Sequence, residues 1–251
     1  MDSANEKRVA LITGAMGGLG TALCRRLHAE GFLVAATYSL SNTRRDAWLA
    51  EQHADGIDVK PYALDVSNGN ACEATVRRVL SDAGRIDVLI NNAGITRDRS
   101  MRKMSLEDWH AVLGTNLDSV FSMTRPVLNA MIEQRWGRII NISSVNGQQG
   151  AFGQANYAAA KAGMHGFTKS LALEVARHGV TVNTVSPGYL DTAMVGQMAP
   201  AVLRDRVLPQ IPAGRLGQPA EVAGLVAYLV SDGAGFVTGA NIAINGGQHM
   251  Y

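Results

Sequence analysis

Val9-Ala10-Leu11-Ile12-Thr13 runs directly into Gly14-Ala15-Met16-Gly17-Gly18-Leu19-Gly20, and Thr21-Ala22-Leu23-Cys24-Arg25-Arg26-Leu27 follows. The first five residues form a short apolar run rich in branched side chains, which reads as a buried parallel strand. The last seven carry helical periodicity. Between them the glycines are spaced Gly-x-x-x-Gly-x-Gly (Gly14, Gly18, Gly20), not the commoner Gly-x-Gly-x-x-Gly. Strand, glycine turn and helix in this order let backbone amides and a helix N-terminus approach a pyrophosphate with no side chain in the way. Glycines also mark ordinary turns; the placement between a strand and a helix favours a dinucleotide site.

The pattern continues outward. Strands are expected at Arg8–Thr13, Leu33–Thr37, Val59–Ala63, Val88–Asn91, Gly137–Ile142, Val180–Ser186 and Asn241–Ile244. Helical stretches lie between them, notably Leu106–Asn116, Val120–Arg135 and Gln154–His178. This alternation predicts an α/β fold, a doubly wound parallel sheet of about seven strands whose ligand lies outside the strands' carboxyl ends. The glycine turn, Asp65, Asn92, Ser144 and Pro187 all fall at such ends. No linker or low-complexity segment interrupts residues 1–251, so a single domain is expected.

Bulk properties agree with one well-buried domain: 251 residues, 47% of them hydrophobic. A formal net charge of +2 gives no reason to expect a nucleic acid or a membrane as partner. Cys24 and Cys72 sit in expected helices as packing residues, which suits a reduced, cytoplasmic compartment. The charged N-terminus lacks an apolar signal core, and no stretch is long and apolar enough to span a bilayer, so neither export nor membrane insertion is expected. No metal site is expected.

A second constellation lies downstream. Tyr157 comes thirteen residues after Ser144, and Lys161 four after that. A phenol titrates near about pH 10 and needs help to exchange protons at neutral pH. A lysine one helical turn away can lower that value with its charge. A serine hydroxyl from a separate segment can then hold a carbonyl oxygen between itself and the tyrosine. Alone, Tyr-x-x-x-Lys equally fits a packed ring beside a solvated amine. The glycine turn supplies what the triplet lacks, a carrier of hydride.

Taken together, Thr13-Gly14-x-x-x-Gly18-x-Gly20, Asn91-Asn92-Ala93-Gly94, Asn116, Ser144, Tyr157, Lys161 and Pro187-Gly188 resemble the short-chain dehydrogenase/reductases over essentially the whole chain. The resemblance implies a Rossmann fold, a nicotinamide dinucleotide and hydride transfer. It makes Ser144, Tyr157 and Lys161 catalytic and gives Asn116 the task of distorting its helix and holding a water that connects Lys161 to solvent. Cofactor contacts fall to Gly14, Met16, Gly17, Gly18, Leu19 and Gly20. They extend to Asp65-Val66 at the adenine, Asn92, Ala93, Gly94, Pro187 and Gly188, with Lys161 on the nicotinamide ribose and Thr192 at the carboxamide. As residues alone, Asp65 equally suits a helix cap, and Thr192 a local cap.

The second strand ends Ala36-Thr37-Tyr38-Ser39 without the acid that usually accepts hydrogen bonds from an NAD ribose. Ser41-Asn42-Thr43-Arg44-Arg45 follows, and arginine suits a 2′-phosphate. NADPH is therefore the expected cofactor, with Arg44 placed above Arg45 as its contact. A solvated helix start would carry the same two arginines.

Two branches of the family fit: 3-oxoacyl-(acyl carrier protein) reductases and the acetoacetyl-CoA reductases of polyhydroxybutyrate synthesis. Met16-Gly17-Gly18, Arg44-Arg45-x-x-Trp48-Leu49, Arg102-Lys103-Met104 and Ser186-Pro187-Gly188-Tyr189 look closer to the second. The resemblance implies an acyl-CoA thioester substrate, a pocket lined by Asp98, Ser144, Gln154, Tyr157 and Tyr189, and a homotetramer. Ala151 departs from it, standing where the acetoacetyl-CoA branch has a second pocket glutamine. Arg135 matches one of two arginines with which the other branch docks its carrier, while His178 stands at the second. Arg97, Arg99, Arg102 and Lys103 form a basic cluster able to attract CoA phosphates, although such a run is more commonly a solvated loop. The proline- and methionine-containing segment 190–218, with Met194, Met198, Pro200, Pro209 and Pro212, reads as a mobile lid.

Overall fold

The computed structural model describes residues 7–196 and 198–250. Seven strands form one sheet: β1 (Val9–Ile12), β2 (Leu33–Tyr38), β3 (Val59–Ala63), β4 (Val88–Asn91), β5 (Gly137–Ile142), β6 (Val180–Pro187) and β7 (Asn241–Ile244). Their order is β3-β2-β1-β4-β5-β6-β7, and every pairing is parallel. Leu11 pairs with Ala35 on one side and Leu89 on the other, so β1 lies between β2 and β4. The strand order reverses there, which opens a crevice at the carboxyl ends of β1 and β4.

Helices cover both faces, and this is why the strands are almost continuously apolar. Alternate residues serve opposite sides. Ala10, Ile12, Ala36, Ile90 and Ile140 pack beneath α1 (Gly18–Ala29) and α10 (Pro219–Val230), with Trp48 of α2 (Arg45–Ala54) at the margin. Leu11, Leu89, Ile139 and Val182 pack against α3 (Gly69–Ala83), α5 (Ser119–Glu133) and α7 (Ala155–Val175). Cys24 and Cys72 are free and buried, and burial pushes their thiols up to about 12 and about 11, as suits inert packing residues.

The strands fall within a residue or two of the expected ranges, whereas the helices differ in instructive places. The stretch Leu106–Asn116 begins as α4 (Leu106–Leu113), capped by Ser105 Oγ, which accepts from Asp108 N at 3.0 Å. It then widens into a π-helical turn over Gly114–Asp118 and continues straight into α5. One continuous rod therefore replaces two separate helices. A five-residue helix, α6 (Val145–Gln149), also stands between β5 and α7.

Within segment 190–218 lie α8 (Ala193–Gly196), α9 (Pro200–Val202), a π turn at Leu203–Val207 and a 3-10 turn at Leu208–Gln210. Gln197 and the side chain of Met194 lie outside what the structure describes. The segment is closed at its base: Asp191 N donates to Gly217 O at 2.8 Å, and Gly217 N to Tyr189 O at 2.9 Å. Among the described residues, no helix is long and apolar enough to cross a membrane.

Candidate active site

The glycine turn is held by the neighbouring strand. Thr13 Oγ1 accepts from Asn92 N at 2.9 Å and Ala93 N at 3.0 Å, while Asn92 Nδ2 donates to Thr13 O at 2.9 Å. These reciprocal bonds clamp the ends of β1 and β4. Gly14 has φ +62°, and a Cβ there would stand 2.9 Å from Ala93 Cα, so only glycine fits without strain. Gly17 precedes α1 and no side chain caps that helix. Gly17 and Gly18 are exposed, leaving backbone and a helix N-terminus facing the crevice. The cradle thus fits a pyrophosphate by what it omits.

The crevice is a cleft of about 840 Å³. Gly14, Gly17, Gly18, Leu19 and Gly20 line it, as do Asp65, Val66, Asn92, Ala93 and Gly94. Ser144 before α6 and Tyr157 and Lys161 on α7 line it as one wall, and Pro187, Gly188 and Thr192 also border it, Thr192 against Gly18. Asp98, Gln154 and Tyr189 border the same space. Asp65 Oδ1 accepts from Ser67 N and Ser67 Oγ at 3.0 and 2.7 Å, fixing a turn, while the cap of α3 is Asn68.

Three expected residues stand off the cleft surface. Met16 is half-buried against the core, with Asn42 Nδ2 at 3.5 Å from its sulfur. Arg44 is exposed and turned towards Glu51, 3.5 Å away. Its neighbour Arg45 reaches the Tyr38 hydroxyl at 3.4 Å, and Tyr38 does line the cleft, as do Thr37 and Ser39. Those last three were not singled out from the sequence; the rule that ligands sit at strand ends points to them. The third is Asn116. It lies fully buried at the centre of the π turn, its Oδ1 accepting from Ile95 N at 2.8 Å and its Nδ2 donating to Ile95 O at 2.9 Å.

Ser144 caps α6: its Oγ accepts from Asn146 N at 3.1 Å, and its side chain hydrogen-bonds the Tyr157 phenol. Ser143, the competing serine, donates instead to Lys161 O at 2.9 Å and lies 3.0 Å from His165 Nε2. Tyr157 and Lys161 follow one another by a turn of α7, with Lys161 Nζ 5.6 Å from the ring centroid and donating to Ile142 O at 2.7 Å. Burial holds the Lys161 amine down to about 7. Burial also raises the Tyr157 phenol, with the Asp98 carboxylate adding to the rise and the Ser144 hydrogen bond opposing it. Burial therefore sets the direction at the tyrosine, whereas the spacing alone had pointed to a lowered phenol.

A polar chain continues from this wall. Asn146 Nδ2 donates to Gln154 Oε1 at 2.9 Å, and Gln154 Nε2 donates to Asp98 Oδ2 at 2.8 Å. Asn146, missed in the sequence, fixes which end of the Gln154 amide faces Asp98. Such an arrangement offers a carbonyl oxygen two hydroxyls, one of them beside a buried amine, opposite a cradle for a dinucleotide.

The profile of the short chain dehydrogenases matches residues 8–202. The chain belongs to the short-chain dehydrogenase family. It is thus an oxidoreductase that works with a nicotinamide dinucleotide. An acetoacetyl-CoA reductase of Cupriavidus necator is 51% identical over 244 residues, 97% of this chain and 99% of its own length. One from Rhizobium meliloti is 51% identical over 243 residues, 97% and 99% of the two chains. A 3-oxoacyl-(acyl-carrier-protein) reductase of Pseudomonas aeruginosa is 44% identical over 243 residues, 97% and 98% of the two chains.

Proposed function

We propose that the protein reduces acetoacetyl-CoA to (R)-3-hydroxybutyryl-CoA with NADPH. The observation that carries this reading is the Ser144–Tyr157 hydroxyl pair beside Lys161, facing the glycine cradle across one cleft, in a chain half identical to acetoacetyl-CoA reductases over its length. The dinucleotide, when bound on Gly14–Gly20, Asp65, Asn92 and Gly188, supplies the hydride. Ser144 and Tyr157 hold the ketone oxygen and stabilise the charge that develops on it. Tyr157 gives its proton to that oxygen as general acid. Lys161 in its protonated form eases the transfer and holds a ribose hydroxyl.

Asn116 supports the path by which Tyr157 is reprotonated. Its side chain is committed to Ile95 on both atoms. What remains for a water is the backbone of the π turn, whose widened geometry breaks the regular bonding of the helix. Asp98, Gln154 and Tyr189 shape the acyl pocket.

Support for NADPH comes from the end of β2, where Tyr38 and Ser39 stand in place of an acid and Arg45 reaches Tyr38. Arg44 remains on the same helix start as a phosphate contact. A homotetramer is supported by large apolar side chains left exposed along two separate faces, Phe121 and Leu173 on α5 and α7, and Tyr228 and Phe236 near α10 and β7. A role in polyhydroxybutyrate synthesis and a cytoplasmic location follow from the same reading. Segment 190–218 would act as the lid.

The relative from Pseudomonas and Arg135 favour a second reading, reduction of 3-oxoacyl thioesters on acyl carrier protein. A catalytically silent dinucleotide sensor is disfavoured by the intact set Asn116, Ser144, Tyr157 and Lys161. The decisive assay follows oxidation of NADPH or NADH by the purified protein with acetoacetyl-CoA and with a 3-oxoacyl carrier-protein thioester. Fast turnover with NADPH and acetoacetyl-CoA is expected; preference for longer carrier-bound substrates, or no turnover at all, contradicts the proposal.

A further inference from the structure

Three consecutive residues at the end of β5 each hold one atom of the catalytic helix. Ile142 O accepts from Lys161 Nζ at 2.7 Å, Ser143 Oγ donates to the main-chain Lys161 O at 2.9 Å, and the Ser144 side chain bonds the Tyr157 phenol. The first and third of these contacts belong to the chemistry already described. The second involves neither a reacting hydroxyl nor the amine; it fixes where α7 stands against the strand.

His165 lies behind that second contact. It is half-buried on α7, one turn beyond Lys161, and stands off the cleft. Its Nε2 is 3.0 Å from Ser143 Oγ and 3.5 Å from Ser186 Oγ on β6. A hydroxyl has a single proton, and both serines have committed theirs: Ser143 to Lys161 O, and Ser186 to Asn241 Oδ1 of β7 at 2.7 Å. Both can therefore only accept from the ring. Burial, with the Lys169 charge adding to it, holds the imidazole below its usual value, so the ring is neutral at neutral pH. A neutral ring carries one N–H, and the two committed hydroxyls place it on Nε2.

The sheet-facing side of α7 changes character along its length. After Lys161 and His165, Thr168 Oγ1 accepts from Asn141 Nδ2 at 2.8 Å and lies 2.7 Å from Thr184 Oγ1. Beyond it Leu171, Ala172 and Val175 pack on the sheet by apolar contact. Apolar burial is non-directional and lets a helix shift by a fraction of an ångström, whereas buried hydrogen bonds admit one register. A misplacement of about 1 Å at reacting groups can cost about a hundredfold in rate.

We propose that His165 is a positioning residue: by donating from Nε2 to Ser143 it fixes that hydroxyl on Lys161 O, and so sets Tyr157 and Lys161 in register against Ser144. The proposal rests on Tyr157 acting as the acid and adds what aligns it. No contact with substrate or dinucleotide is required of the ring.

The test follows rates with NADPH and acetoacetyl-CoA, well below the Tm of each variant. His165→Leu should lower kcat about tenfold, with KM for acetoacetyl-CoA within about twofold of the wild type, because alignment affects the transition state more than binding. His165→Gln, whose amide nitrogen reaches as far as Nε2, should recover most of that loss. His165→Asn, whose amide reaches only as far as Nδ1, should not. Ser143→Ala should resemble His165→Leu, and the double variant should be little slower than either, since both break the same chain of bonds.

Unchanged kcat in His165→Leu would overturn the proposal, as would equal rates in the Gln and Asn variants or additive losses in the double variant. Should His165→Leu fail to fold, the Gln and Asn pair decides. The tautomer is read without turnover, by solid-state nitrogen NMR of wild-type protein labelled at histidine, the His165 signal being the one lost in His165→Gln. An Nε2–H ring is expected, and an Nδ1–H ring overturns the proposal. If the wild type fails to reduce acetoacetyl-CoA, the functional reading falls, and the tautomer still decides whether His165 holds Ser143.

Discussion

The two halves of the cleft are built on opposite plans. The cradle at β1 and β4 works by the absence of side chains at its glycines, its shape fixed by the Thr13 hydroxyl and the Asn92 amide, each bonded to backbone. The wall at β5 and α7 works by side chains that are held in place, the buried Lys161 on Ile142 O and the half-buried Ser144 on Asn146 N, with Asn116 fixed behind it on Ile95. One half therefore tolerates no added atoms, while the other tolerates no lost ones. This difference predicts that binding and chemistry separate under mutation.

The largest separation is expected on the wall. Ser144→Ala removes one of two donors at the developing oxyanion, and kcat should fall by about a hundredfold or more, with dinucleotide affinity unchanged. Fluorescence titration of NADPH alongside initial rates checks both. On the cradle, Gly14→Ala forces a side chain into left-handed backbone against Ala93. Dinucleotide affinity should weaken by about tenfold, with about 1–2 kcal/mol lost from stability. A variant that binds normally would show that the cradle is looser than its geometry implies.

Lys161 sharpens the comparison through pH. Its amine is held at about 7 in the folded chain against an ordinary value of 10.5, so the unfolded chain carries the extra proton between those values. Stability from this group thus rises with pH across that window, and the cost of burying the charge is fully present below about 7. Lys161→Met should raise Tm near pH 6 by roughly 2–4 °C per kcal/mol relieved, with a smaller gain near pH 9. It should also abolish turnover. The smallest effect lies at the far end of the cradle. Arg45→Ala should raise KM for NADPH a few-fold, consistent with loss of one charge-assisted contact, and Arg44→Ala should do so less; the opposite ranking would restore Arg44 as the principal contact.

The two plans also explain what could be read from the sequence. The strands were legible because both sheet faces are covered, which leaves apolar runs such as Val9–Ile12 and Val88–Ile90. The cradle was legible because glycine spacing is itself the geometry. On the wall, the spacing of Ser144, Tyr157 and Lys161 was legible as chemistry, while Asn116 was legible only by resemblance. Nothing in Gly114-Thr115-Asn116 announces a π turn, since one extra residue in a helical turn changes no local preference. Where Arg44 and Arg45 point depends on the phase at which α2 begins: Trp48 packs into the core with its indole on Thr21, Arg44 lies towards Glu51, and Arg45 pairs with Asp46 while reaching Tyr38. Asp65 suited a helix cap as well as Asn68 does, until the three-residue offset placed Asn68 against Ala71. Asn146 was hidden because a five-residue helix containing Gly147 has no readable period.

The claim on which the account stands is that Tyr157 delivers the proton in a site whose dinucleotide cradle is independent of it. Tyr157→Phe keeps the ring in its packing and removes only the hydroxyl. Measured with NADPH and acetoacetyl-CoA, this variant should bind the dinucleotide with wild-type affinity and show no turnover at any pH. Residual reduction at a substantial fraction of the wild-type rate would contradict the account directly.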